Sequence, residues 1–93
     1  MEQMPVCNWE EADFEWMTDQ QTLDLRDMLA RTITLITWQR DGADMLWGLY
    51  YRGGDQERAL YWEGQYKQQC RLLMEAEKDM ECCEAVCRCR LID

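Results

Sequence analysis

One stretch of this chain leaves little choice of fold. From Ala59 onward, Ala59, Trp62, Tyr66, Cys70, Leu73, Ala76, Met80, Cys83 and Cys87 recur at steps of three and four for about eight turns, a spacing that gathers side chains on one face of an α-helix. Gly53-Gly54 closes whatever precedes this run, and Asp55 is a good N-cap for it. Glu63 with Lys67, and Glu84 with Arg88, stand four apart in the favourable order. Arg88 and Arg90 fall where a helix C-terminus prefers positive charge. Gly64 is the weak point. The predicted helix, 55–90, is about 50 Å long at 1.5 Å per residue. A helix of that length calls for an antiparallel partner within the chain and for a second chain beside it.

The partner is expected over residues 19–52. Thr18 with Gln21 forms a capping pattern, and Leu25, Met28, Leu29, Ile33, Ile36, Ala43, Leu46, Trp47 and Tyr50 follow at helical spacing. The β-branched run Thr32-Ile33-Thr34-Leu35-Ile36-Thr37-Trp38, joined across Asp41-Gly42 to 45–51, also reads as a β-hairpin. Helix is preferred because its phase carries across both runs. Gly42 is expected to break or kink it, since glycine costs about 1 kcal/mol relative to alanine in a helix interior. The fold expected is therefore all-α, a long antiparallel helical hairpin within one domain, 1–93, assembled into an oligomeric bundle. An α+β fold with a hairpin at about 32–51 is the alternative.

Charge divides the chain unevenly. The net charge is −9, from 19 acids and 10 bases. Residues 1–20 hold Glu2, Glu10, Glu11, Asp13, Glu15 and Asp19 and no base, whereas the middle balances and the final third is mildly acidic. Binding of DNA or RNA by counterion release needs clustered Lys and Arg, and the isolated Arg26, Arg31 and Arg40 do not supply it. Asn8 with Glu11 suggests a cap for a short acidic N-terminal helix within 1–18. There Trp9, Phe14, Trp16 and Met17 alternate with Glu10, Glu11, Asp13 and Glu15. Such a segment can bury aromatics in a partner while its carboxylates meet Lys or Arg, so Trp9, Glu10, Glu11, Asp13, Phe14, Glu15 and Trp16 are the candidate partner-binding residues. The competing reading folds Trp9 and Trp16 back onto the hairpin.

Of the six cysteines, Cys82, Cys83, Cys87 and Cys89 crowd toward one end, with Cys70 earlier, Cys7 near the start, and no histidine anywhere. One helix cannot wrap four thiolates around zinc, and this spacing matches none of the common zinc patterns. The reading preferred packs Cys70, Cys83 and Cys87 as small core hydrophobes and leaves Cys82 and Cys89 as loosely placed thiols. No cofactor is expected. Zinc held by Cys83 and Cys87 from two copies is the outlying alternative. Without histidine, cysteine lacks its usual activating base, and no phosphate loop, EF-hand or dinucleotide fingerprint occurs. No catalytic residue is assigned.

The chain is small enough that five Trp, four Tyr and seven Met exceed what one thin core hides. Trp62, Tyr66, Cys70, Leu73 and Met80 are the expected core and oligomer residues. The row Trp38, Trp47, Tyr50, Tyr51, Tyr61, Trp62 and Tyr66 is expected to pack at the helix turn; its alternative use is to stack a nucleotide whose phosphate meets Arg40, Arg52 or Arg58. The chain shows neither the basic and apolar regions of a signal peptide nor a membrane-length apolar run, so a cytoplasmic setting is expected, the host cytoplasm if the chain is phage-encoded. Taken together, these features suggest a non-catalytic acidic module, of the phage or mobile-element inhibitor type, that occupies a basic nucleic-acid-handling surface on a larger protein. A nucleotide or zinc binder and a structural adaptor are the alternatives.

Overall fold

The computed structural model describes residues 15–91. Two helices, α1 (Asp19–Arg52) and α2 (Gln56–Arg90), account for nearly all of them. They pack against each other as a helical hairpin, and there is no strand among the described residues. The short acidic helix expected within 1–18 falls largely outside the described residues; Glu15, Trp16 and Met17 form a turn and bend before α1.

Each helix boundary has a local cause. At the start of α1 the Gln21 amide donates to Thr18 Oγ1 at 3.0 Å, while the Thr18 amide donates to Gln21 Oε1 at 2.9 Å. This is a reciprocal capping box, which satisfies two amides that no helical carbonyl can reach. At the end of α1 the Gly54 amide donates to Tyr51 O at 3.2 Å and the Asp55 amide to Tyr50 O at 3.0 Å. That pair of bonds is a Schellman motif, and it needs the left-handed φ of 86° that Gly54 adopts. Asp55 then caps α2, its Oδ1 accepting from the Arg58 amide at 3.1 Å.

One expectation for α1 changes: it runs unbroken through Gly42. The region 32–51 is helix, as preferred, and the alternative hairpin does not form. The reason lies in the inward line Leu25, Leu29, Ile36 and Ala43, all buried only if the helical phase continues. Burial of that line offsets the roughly 1 kcal/mol that one glycine costs. Met28, expected on the same face, points outward at 54% exposure. In α2 the expected inward residues behave as read: Ala59, Leu73, Ala76, Cys83 and Cys87 are buried, and Trp62, Tyr66, Cys70 and Met80 are half-buried. Gly64 does not interrupt this helix either.

The helices contribute to two compact units, one comprising residues 1–33 and 74–93 and the other residues 34–73. In the first, Leu25, Leu29, Cys83 and Cys87 form the buried centre, with Met17, Leu23, Met80, Cys82 and Val86 against it. In the second, Ile36, Ala43, Ala59 and Leu73 are buried among half-buried aromatic side chains.

Candidate functional site

In the first unit the cysteine pair is a packing element. Cys83 is completely buried and Cys87 nearly so, one turn apart on α2. The Cys83 thiol donates to Thr22 O at 3.5 Å, and Thr22 is itself fully buried, its hydroxyl donating to Thr18 O at 3.0 Å. Arg90 closes this end of the unit. Its Nη1 donates to Met17 O at 2.9 Å, to Thr22 Oγ1 at 3.1 Å and to Asp19 Oδ1 at 3.4 Å. Sequence reasoning placed Arg90 at a helix terminus for its charge and missed that its guanidinium is a clamp on the start of α1. No local pattern signals a contact between residues this far apart in sequence.

Cys82 departs from expectation. It is disulfide-bonded rather than a loosely placed thiol, whereas Cys70, Cys83, Cys87 and Cys89 are free. One step around the helix from Cys83, it is only half-buried at the margin of the core, so its sulfur is not enclosed as that of Cys83 is. Cys89 is exposed. Among the described residues no group of three or more His, Cys, Asp or Glu gathers as a metal site.

Burial pushes the Cys83 thiol up to about 11, with the neighbouring Cys87 raising it further. The unfolded thiol titrates near 9.0, so the folded state holds its proton more tightly. The resulting stability is complete below about pH 9 and is lost as pH rises toward about 11, a loss on the order of 2 kcal/mol. Urea midpoints measured across that window should fall, and Cys83→Ala should fall less steeply from a lower starting stability. An equal slope in both proteins would remove Cys83 as the cause.

The second unit divides the aromatic row. Trp47 and Tyr66 pack with ring centroids 5.9 Å apart, and Trp62 meets Tyr61 edge to face at 5.0 Å. A hydrogen bond to Cys70 is the main influence raising the Tyr66 phenol above its ordinary value. Trp38, Tyr51 and Tyr61 are instead exposed, at 69%, 70% and 57%. An apolar hollow of about 380 Å³ opens in this unit, lined by Trp47, Tyr51, Gln56, Ala59, Leu60 and Glu63. Its only charged lining residue is a carboxylate, paired with Lys67 at 3.2 Å. The arginines suggested for a phosphate are engaged elsewhere. Arg40 holds Asp41 at 3.1 Å, while Arg58 lies over the Tyr50 ring at 5.6 Å and faces Asp55 at 3.7 Å. Arg52 does not line the hollow. The hollow is thus lined by apolar side chains, a glutamine and one carboxylate, with no cation among its lining residues.

The feature that sequence reasoning missed is a surface. Leu35, Trp38, Met45 and Leu49 stand on the outer side of α1 at 53%, 69%, 66% and 52% exposure. They share one helical face with the exposed Gly42. The three-four spacing that marked the inward line is present here too and could have revealed this second stripe.

Of the candidate partner-binding residues, Trp9, Glu10, Glu11, Asp13 and Phe14 lie outside the described residues. Glu15 and Trp16 are both exposed, Trp16 at 86%. Trp16 therefore does not fold back onto the hairpin. The structure defines an all-α helical hairpin whose described surface offers apolar contact faces and open hollows, among them a second of about 380 Å³ lined by Gly42, Ala43, Leu46 and Trp62 with three glutamines. The chain matches no protein-family model, no curated protein and no solved structure, so what it does must be argued from these features. No helix among the described residues is long and apolar enough to cross a membrane.

Proposed function

We propose that this chain is a non-catalytic protein-binding module whose acidic N-terminal segment occupies a basic, nucleic-acid-handling surface on a larger protein, in the manner of a small phage or mobile-element inhibitor. The observation that carries the reading is Trp16, which stands 86% exposed beside the exposed carboxylate of Glu15. It continues a run in which residues 1–20 hold six acids and no base. An exposed indole flanked by carboxylates supplies both an apolar anchor and the charge complementary to Lys and Arg. The net charge of −9 would speed such an encounter and make it sensitive to salt.

The test is capture from a lysate with tagged protein at low and high salt, followed by the same capture with Glu10, Glu11, Asp13 and Glu15 replaced by Lys. A basic nucleic-acid-handling protein should be captured at low salt, lost at high salt and lost with the charge-reversed variant, while the helical circular dichroism of that variant is unchanged. Retention by the variant would refute the acidic reading. The 380 Å³ apolar hollow favours, as a second reading, binding of a small apolar ligand. A rise in melting temperature with apolar ligands but not nucleotides would distinguish it.

A further inference from the structure

The outer stripe of α1 is nearly symmetric about one residue. Leu35 and Leu49 each lie seven positions from Gly42, with Trp38 four before it and Met45 three after. All are exposed and all belong to the same compact unit. Gly42 itself does nothing for the fold of its own chain. A Cβ built there meets nothing within 4 Å, and its φ is not in the left-handed region. Alanine would serve the helix better. A glycine at the centre of an exposed apolar stripe does, however, let a second helix come close.

We infer that α1 pairs antiparallel with α1 of a second copy about a two-fold axis at Gly42. This register sets Leu35 opposite the second copy's Leu49 and brings Trp38 within one residue of its Met45, with the two Gly42 backbones at the crossing. A two-fold interface must be complementary to itself, and a stripe symmetric about its centre meets that requirement. The Trp38 ring gains a thioether partner, a favourable contact for both. Asp41, the acid beside the crossing, is already paired with Arg40 at 3.1 Å, so net negative charge does not accumulate there.

The four side chains are each more than half exposed, so the pairing covers apolar surface that the chain itself leaves in water. This pairing is independent of the acidic segment and stands or falls separately from the proposed function.

Charge exchange across the register is the test. In sedimentation equilibrium the unmodified chain should be dimeric, and Leu35→Glu or Leu49→Lys alone should raise Kd by about a hundredfold. The double variant should recover most of that loss, because the carboxylate introduced on each copy then faces the ammonium introduced on the other. Within one chain the two positions are about 21 Å apart along the helix, so the recovery cannot be internal. Circular dichroism should stay helical, since both positions are more than half exposed. Gly42→Gln should raise the melting temperature of dilute protein while weakening association. A monomeric unmodified chain, single variants that associate as before, or a double variant no better than the singles would each overturn the pairing.

Discussion

Cys83→Asp should abolish cooperative folding. Cys83 has no exposed surface, and its surroundings are Leu25, Leu29 and Cys87. Arg26 acts on this site only as a lesser charge influence, behind burial and Cys87, so a carboxylate there would be poorly compensated. Leaving a charge buried without a partner costs about 3–5 kcal/mol, a large part of the roughly 5–15 kcal/mol that holds an ordinary domain together. Cys83→Ala keeps the site apolar and loses one sulfur, so it should cost only about 1–2 kcal/mol. Urea titration followed by helical circular dichroism separates the two. An aspartate variant as stable as the alanine variant would mean that the cysteine pair is not the centre of its unit.

Arg90→Met should be the next most damaging change. One guanidinium nitrogen serves Met17 O, Thr22 Oγ1 and Asp19 Oδ1, and methionine retains much of the side chain's length without any donor. A hydrogen bond involving a charged group contributes about 1.5–3 kcal/mol, so a loss of about 2 kcal/mol is expected. Arg90→Lys should recover part of it, because an ammonium keeps the charge and donors but sits on a stem that must reach the position of Arg90 Nη1. Amide exchange localises the effect: the first turn of α1 should lose protection while the Schellman turn at Gly54 keeps it. Uniform loss along both helices would show that Arg90 has no special hold on that turn.

The helical hairpin was legible because its signals are local and agree. The nine-residue line in α2, the capping box at Thr18 and Gln21, and the Gly53-Gly54-Asp55 junction all point the same way. Gly42 misled because propensity assigns a cost to the glycine without knowing what the neighbouring Ile36 and Ala43 recover by burial. Cys82 misled because helical spacing shows which cysteines face inward and says nothing of which sulfur is bonded. The Arg90 clamp depends on a contact spanning 73 residues, which no window of sequence contains. The outer stripe was present as periodicity but was hidden behind the inward one.

Sequence separation also orders events in time. At the Schellman turn the Asp55 amide reaches Tyr50 O, five residues back, whereas Arg90 must find Met17 across 73. The entropy of closing the longer loop exceeds that of the shorter by about 2 kcal/mol. A newly made chain would therefore zip outward from the turn, and α1 would leave the ribosome with its inward line uncovered until α2 followed. In that interval the inward leucines, Leu25 and Leu29, have only water or a chaperone to meet, and Arg90 is the last fastening to close.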